Sequence, residues 1–532
     1  MAKLERTEKP MNVLLEELKT GELGLPEIQR GYVWYRPQVR DFIESMYKEY
    51  PCGLILLWKP PAILLEKVQL REFLINKENI PSGKNPSFLV LDGQQRLTSL
   101  MKVMEAATDI AFNLVDETFQ VYSNKLKNNP QWIKVSKIMN QGAIASWLEI
   151  KSKDGLGLDD NTALTRLSRL ERIKEYRIPV EILHTDDYEE VTESFIRINS
   201  RGTRLREAEL ALARLAFYWP GAVSKHFEEA INEYERNFFI FEARFLMRCY
   251  VAVATNQSRF KSLTRIWESS DKELELHWKK TQEALDSTIN FLRTNVGIES
   301  SEWIPAMNAL IPLVVFYANH GEVVSEEEAK RLLFWFLSAT IWQRYSGSAE
   351  TRLDQDLAAL RESGIDGMIR NMLKEVQDLI VDEGEIIVTY QRSAFLPLLF
   401  AIIRKNKSRD WFSGIELSST NVGPNHQIEL HHFFPRSVLK DCGEYSVSEI
   451  DDLCNIVFLS QKANRKVLNS PPKEYIKEFR IEPGRLESQY IPINPELWEI
   501  KNYRKFLQER RKAISAVMNR YLKEFGSEYM HR

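Results

Sequence analysis

The chain has few cysteines, little net charge and no long apolar segment, and each shortage excludes a class of protein. Its four cysteines are too few and too scattered for the disulfide framework of a small secreted domain. The apolar runs 309–318 and 396–403 are far shorter than the roughly 20 residues that a membrane-spanning helix needs. We therefore expect buried helices there and no membrane partner. The first residues lack the apolar core of a secretion signal, so a cytoplasmic location is expected.

The balanced charge and the length limit the remaining possibilities. A net charge of −3 means that any nucleic-acid surface must be a local basic patch. With 44% hydrophobic and 28% charged residues the composition is that of an ordinary folded protein. At roughly 100 to 200 residues per domain, 532 residues predict about three domains.

Apolar patterning changes twice along the chain and predicts an α+β multidomain protein. Residues 1–202 alternate helical patterns with short branched apolar runs at 52–58, 87–92 and 177–183, which predict the strands of an α/β domain. The polar segment 151–163 predicts an exposed loop within it. Residues 203–405 have helical spacing throughout and predict a helical middle domain. Residues 406–532 form a mixed third domain, closed by a helix over roughly 499–524.

The third domain contains a cluster of histidines. His426, His431 and His432 lie within seven residues, in an apolar run that predicts a strand and is followed by a proline turn. Asn455 follows His432 by 23 residues, and Asn464 follows Asn455 by nine. The order His, Asn, Asn is typical of the HNH class of metal-dependent phosphodiesterases.

Hydrolysis of a phosphodiester explains why these residue types are needed. His432 is the candidate base, because a neutral imidazole titrates near working pH. His431 and Asn464 would hold one divalent ion, Mg²⁺ or Mn²⁺, against the scissile phosphate, and His431 thus counts among the catalytic residues. Asn455 would tie the hairpin loop so that the base points at the attacking water. The DNA contacts would come from Arg465 and Lys466.

Each of these features also has a structural alternative. The histidines would then be a polar pair at a domain surface and the asparagines loop residues. Cys442 and Cys454 flank the region, but they lack the two-residue spacing of a zinc site and are expected to be buried thiols. The basic residues of the last helix, which would either meet DNA phosphates or form a solvated face, are Arg504, Lys505, Arg510, Arg511 and Lys512.

The first domain carries three short motifs, IQRGYVW, DGQQRLTSL and FIRINSRGTRL. In the second, an apolar strand ends at Asp92 and Gly93, and Gln94 opens a helix. A glycine turn between strand and helix presents free backbone N–H groups to an anion, and Arg30, Arg96 and Arg197 would neutralise a polyphosphate. The structural alternative is a plain turn with a helix cap. Tyr32 and Trp34 would either stack on a base or pack in the core.

Together, these motifs at both ends resemble the GmrSD-type restriction endonuclease family. The resemblance implies a ParB/sulfiredoxin-like N-terminal domain that binds and hydrolyses a nucleoside triphosphate (NTP), and a C-terminal ββα-metal HNH domain that carries HHFFP, CNIVFLS and NRK. The nucleotide site that it implies comprises Gln29, Arg30, Asp92, Gly93, Gln94, Gln95, Arg96, Arg197 and Asn199. The segment RYSGSAETRLDQDL in the helical middle looks like one seen in these proteins, with packing as its default role.

The expected function is modification-dependent, type IV-like DNA restriction in anti-phage defence, regulated by NTP binding or hydrolysis. The expected partners are DNA, in particular modified phage DNA, and an NTP, and a homodimer is an open option. Two alternatives stay open at this point. One is a nucleotide-binding sensor with a non-cleaving HNH domain, and the other is a DNA-repair nuclease that needs no nucleotide.

Overall fold

The computed structural model is α+β and has two compact units, Met1–His226 and Phe227–Arg532. It describes residues 3–26, 34–65, 70–71, 86–151, 156–187, 190–191, 194, 207–265, 269–321, 323–376 and 378–530. The division into three domains at residues 202 and 405 stays a prediction.

The first unit combines strands with helices, as its alternating pattern predicts. Its strands are β1 (Lys3–Pro10), β2 (Leu23–Pro26), β3 (Ile55–Lys59), β4 (Leu70–Arg71), β5 (Phe88–Asp92), β6 (Ile110–Asn113), β7 (Thr118–Val121), β8 (Trp132–Lys134) and β9 (Arg177–His184). Its helices span Met11–Lys19, Arg36–Tyr47, Ala62–Leu65, Gln94–Met104, Val135–Gln141, Ala143–Ile150, Asp160–Glu171 and Glu207–Tyr218.

Among the described residues of this unit, a mixed sheet has the order β1-β9-β3-β5-β2-β4, and a smaller antiparallel sheet has the order β7-β6-β8. Strand β3 runs parallel to β9 and antiparallel to β5. Leu57 and Val90 point into one core cluster, whereas Leu56 and Leu91 point into another. Burial on both faces explains the continuous apolar runs, and the three predicted strands are confirmed as β3, β5 and β9.

The predicted loop 151–163 is wrong at its C-terminal end. A helix begins at Asp160, because the Asp159 side chain accepts a hydrogen bond from the Thr162 N–H at 2.9 Å. An aspartate at this position satisfies an N–H group that the first helical turn leaves without a partner. Local capping chemistry therefore ends the loop earlier than its polar composition suggests.

The second unit is mostly helical. Its helices span Glu228–Arg236, Ala243–Thr255, Asp271–Val296, Leu310–His320, Glu326–Ile341, Ala349–Glu375, Phe395–Lys405, Arg436–Cys442, Val447–Ile450, Gln461–Val467, Pro472–Glu478, Pro483–Glu487 and Tyr503–Gly526. Strands β10 (Ile428–His432) and β11 (Ile456–Ser460) pair antiparallel. The predicted helical middle and closing helix are confirmed, and both apolar runs are buried helices. No helix in the described part of the chain has the length and apolar character needed to cross a membrane.

Candidate functional site

The predicted histidine-bearing strand is β10, paired with the fully buried β11. The side-chain amide of Gln489 accepts a hydrogen bond from the Phe458 N–H at 2.8 Å and donates one to the Phe458 carbonyl at 2.9 Å. Gln489 thus supplies the partners that a further strand would give to β11, since buried backbone groups need hydrogen bonds. The hairpin is held in place by side chains from a later part of the chain.

Asn455 closes the long connection between the two strands. Its fully buried side chain accepts from the Phe434 N–H at 2.9 Å and donates to the carbonyls of Phe434 and Ile450 at 3.1 and 3.0 Å. An asparagine offers the acceptor and the two donors that this arrangement uses. The chain segment that follows His432 is therefore joined to the start of β11.

His431 and Asn464 lie side by side although 33 residues separate them. The Gln461–Val467 helix begins directly after β11, with the Ser460 hydroxyl accepting from the Ala463 N–H at 3.2 Å. This start places Asn464 over β10, where its Oδ1 accepts from His431 Nδ1 at 2.6 Å and its Nδ2 donates to Glu429 at 2.5 Å. The hairpin and the helix thus bring together a carboxylate, an imidazole and an amide.

Carboxylate, imidazole and amide side chains are residue types that bind divalent cations. His431 is 6% exposed, and its Nε2 is buried without a hydrogen-bond partner. Burial lowers the pKa of His431 to about 4, so the imidazole is neutral at neutral pH, as a metal ligand must be. In the part of the chain that is described, no three His, Cys, Asp or Glu side chains converge on one point. Because the Nδ1–H of His431 is donated to Asn464, the imidazole lone pair is on Nε2, on the opposite side of the ring. His431 and Asn464 would therefore hold one cation together only after this hydrogen bond is broken.

His432 has different partners. Its Nε2 lies 2.9 Å from Oδ1 of Asp451, and Oδ2 of the same carboxylate accepts from Arg436 at 2.9 Å. The ring of Tyr390 meets the imidazole edge to face, with centroids 5.5 Å apart. Burial lowers the pKa of His432, and this effect outweighs the opposing influence of Asp451. The imidazole is therefore neutral at neutral pH, with the Nε2–H directed at a carboxylate.

Sequence reasoning missed both acidic residues of this region. Glu429 is two positions before His431, so the period of two in a strand could have placed both side chains on one face of β10. Asp451 is 19 residues from His432 and gives no local signal. Its role depends on how the connection between the strands folds back.

Positive charge in this region is split between exposed and buried side chains. Arg465 and Lys466 are exposed in the last turn of the Gln461–Val467 helix. On the closing helix, the hypothesis of a DNA-facing stretch is wrong for Arg510, which is fully buried and donates to the carbonyls of Cys454 and Gln489 at 2.8 and 3.1 Å. Arg511 pairs with the buried Asp452 at 2.8 Å. Arg504 and Lys512 are paired with Glu449 and Glu509.

The first unit contains the predicted glycine turn between β5 and the Gln94–Met104 helix. Gly93 has a left-handed φ of +99°, and a Cβ added there would come within 2.2 Å of the Ile55 side chain. Only glycine tolerates both conditions, because it has no Cβ. The turn thus follows from close packing between β3 and β5.

Arg96 and Gln94 occupy the first turn of this helix. Arg96 Nη1 donates to the Leu54 carbonyl at 2.9 Å and lies 3.4 Å from Asp92 Oδ2. Gln94 is buried, and none of the described residues forms a hydrogen bond with its Oε1. The structure therefore brings Asp92, Gly93, Gln94, Gln95 and Arg96 together at one turn. The other predicted residues of the nucleotide site, Gln29, Arg30, Arg197 and Asn199, lie outside the described residues, as does Tyr32.

Trp34 packs against the core cluster of the first unit. Its ring meets Phe42 edge to face, with centroids 5.5 Å apart. This contact favours the core role over stacking on a base.

Residues 11–216 match the family model described as "GmrSD restriction endonuclease, N-terminal domain". The predicted resemblance is thus confirmed for this part of the chain. The matched residues lie within the first unit. An uncharacterized protein of Methanocaldococcus jannaschii is 22% identical over an alignment of 595 residues, which covers 94% of this chain and 96% of that protein. Similarity to this relative extends through the second unit as well.

Proposed function

We propose that this protein is a restriction-type DNA endonuclease and that the second unit performs the hydrolysis. The observation that carries the proposal is the meeting of His431 with Asn464, at 2.6 Å, next to the pair of His432 and Asp451. The match of residues 11–216 to a restriction endonuclease family supports DNA as the substrate. A hairpin followed directly by a helix is the arrangement of a ββα-metal HNH nuclease, and we assign that fold to this region.

His432 acts as the general base in this proposal. Donation from Nε2 to Asp451 leaves the lone pair on Nδ1, which takes the proton from the attacking water. Because the pKa of His432 is lowered, the imidazole is in its accepting form at neutral pH. Asn455 holds the connection that follows His432 and so maintains the direction of the base.

His431 and Asn464 are the residues that would hold a divalent cation, Mg²⁺ or Mn²⁺, with Glu429 beside them. When bound, the cation would supply charge neutralisation on the scissile phosphate. The exposed side chains of Arg465 and Lys466 would contact neighbouring phosphates of the DNA.

The first unit regulates cleavage in this proposal. A ParB/sulfiredoxin-like domain would bind an NTP at the turn around Gly93, where backbone N–H groups at a helix start favour an anion. Asp92 would hold a metal ion or position a water, and Arg96, Arg30 and Arg197 would neutralise the phosphates, with Gln29 and Asn199 also lining the site. The cue would be modified phage DNA, as in type IV-like restriction.

A plasmid assay tests the proposal. Wild-type protein with Mg²⁺ or Mn²⁺ is expected to cut DNA, and His432→Ala is expected to lose at least about a hundredfold in rate, as for loss of a general base. His320→Ala, at the exposed end of the Leu310–His320 helix, is the matched control. Cleavage by His432→Ala at the wild-type rate would contradict the catalytic assignment.

Modified and plain plasmids, each with and without NTPs, test the regulatory part. We expect cleavage of modified DNA that depends on an NTP. Equal cleavage of plain DNA without NTP would instead indicate a repair nuclease. Asp92→Ala and Arg96→Ala are expected to abolish NTP hydrolysis, and unchanged hydrolysis would contradict the nucleotide site. Because one such centre cuts one strand at a time, a double-strand break would require two copies of the chain or two encounters.

A further inference from the structure

A cleft of about 620 Å³ begins beside His432 in the second unit. Tyr390 lines the cleft and contacts the imidazole of His432 with its ring. Leu430 also lines it and is two residues before His432 on β10, so both side chains project from the same face of the strand. A ligand bound at His432, the proposed base, would therefore lie next to this cleft.

The described residues that line the cleft are mostly uncharged. The amides of Asn308, Gln343 and Gln391 line it, together with hydroxyl groups and apolar side chains. Among the described residues that line it, Glu302 is the one charged side chain. A channel for phosphates needs cationic side chains, and the described residues that line this cleft include none. Its chemistry suits a neutral, flat ligand with hydrogen-bond donors and acceptors.

Two buried polar atoms in the walls have no hydrogen-bond partner. Trp303 and Thr340 are each 6% exposed, and Trp303 Nε1 and Thr340 Oγ1 are both unsatisfied. A buried polar group without a partner is costly. The indole donates, whereas the hydroxyl both donates and accepts. Both atoms are closed to solvent in this conformation, so the cleft presents the amides named above to a ligand and not these two groups.

The segment RYSGSAETRLDQDL holds one wall in a defined shape. Arg344 donates to Asp356 through Nε at 2.6 Å and Nη2 at 2.8 Å, and Tyr345 donates to the same carboxylate at 2.7 Å. Arg352 donates to the carbonyls of Arg344 and Ser346. Gln343 has a φ of +46°, a left-handed conformation that is uncommon outside glycine and clusters at functional sites. A buried ionic network thus fixes the wall that presents Gln343 and Ser346 to the cleft.

We propose that this cleft receives a nucleobase extruded from the DNA strand that is cut at His432. A nucleobase is flat and neutral, and its edges carry donors and acceptors that amides and hydroxyls read. The cleft volume lies in the usual range for small-molecule sites, about 300 to 1,000 Å³. This inference rests on the proposed function, according to which the bound strand is DNA that is cut at His432. It adds a site at which the identity or the modification of a base is recognised.

Fluorescence of 2-aminopurine provides the direct test. This base analogue brightens when it leaves the stack, so duplexes with the analogue at successive positions are bound to the full chain in EDTA, where no cleavage occurs. We expect brightening at one or two positions. In Gln343→Ala, loss of an amide contact is expected to weaken DNA binding, measured from the 2-aminopurine fluorescence, by about tenfold. Ala306→Trp is designed to fill the cleft, and Leu276→Trp, at an exposed site on the Asp271–Val296 helix, serves as its control.

Cleavage of an abasic duplex supplies a second readout. An abasic nucleotide places no ring in the cleft, so Ala306→Trp is expected to raise the ratio of abasic to intact cleavage rates relative to wild type. An unchanged ratio, or no brightening at any position in wild type, would overturn the inference. If wild type brightens the analogue but cuts no DNA with Mg²⁺ or Mn²⁺, the proposed nuclease activity fails and the base-binding cleft stands.

Discussion

The carboxylate of Asp451 joins His432 to Arg436, with one oxygen 2.9 Å from His432 Nε2 and the other 2.9 Å from Arg436 Nη2. Asp451 is 5% exposed, so its contacts are formed away from most of the solvent. A carboxylate behind an imidazole selects the tautomer and fixes the direction of the ring. We therefore infer that Asp451 is a positioning residue for the proposed base.

Asp451→Asn is expected to lower kcat for DNA cleavage about 10- to 100-fold, because the amide binds the imidazole less strongly and does not enforce one tautomer. The KM for plasmid DNA should change little, since Asp451 does not face the substrate in this proposal. Steady-state kinetics check both values, with Asp441→Asn as the exposed control. An unchanged kcat in a folded Asp451→Asn protein would remove the positioning role.

Arg510→Met is expected to destabilise the protein by about 2 kcal/mol without weakening DNA binding. The substitution leaves the buried carbonyls of Cys454 and Gln489 without their donor. Urea unfolding measures the loss, and Arg504→Met, at an exposed ion pair, should have a smaller effect. In contrast, Arg465→Ala should reduce the salt dependence of DNA binding by about one unit of slope. If folded Arg510→Met protein bound DNA more weakly than wild type, this would support the hypothesis that Arg510 contacts DNA.

Gly93→Ala is expected to cost about 3 kcal/mol, from a strained backbone and from contact with the Ile55 side chain. Gly157→Ala is a matched control, because Gly157 also has a positive φ but nothing lies within 4 Å of its added Cβ. The control should cost about 1 kcal/mol, and thermal unfolding compares the two. Equal losses would show that close packing against β3 plays no part.

Asp410 predicts an acid-dependent loss of stability. Burial raises the pKa of Asp410, but hydrogen bonds from Ser413 and Ser460 outweigh it, and the net pKa is lowered. A lowered folded-state pKa stabilises the fold above the unfolded value of about 4 and ceases to do so as the pH falls through the folded value. Asp410→Asn should therefore be about 2 kcal/mol less stable at pH 7 and show a flatter dependence below about pH 4. If the free energy of unfolding of wild type and variant depended on pH in the same way, this prediction would be contradicted.

Local patterning predicted much of the fold. The runs at 52–58, 87–92 and 177–183 became β3, β5 and β9, and the turn at Gly93 followed from an apolar strand that ends in Asp-Gly. The apolar runs were recognised as buried helices from their length. In each case the signal lies within a few neighbouring residues, because side-chain periodicity and turn chemistry depend on the local backbone.

The sequence by itself also identified His431, His432, Asn455 and Asn464 as one group, from their order and residue types. Tertiary structure alone decided which side chains meet: His431 contacts Asn464, whereas His432 contacts Asp451, which carries no local signal. It also decided that Arg510 is buried rather than facing DNA, and that a cleft lined mostly by uncharged residues lies beside His432. These outcomes depend on packing between segments far apart in the chain, where burial and hydrogen-bond satisfaction override what composition suggests.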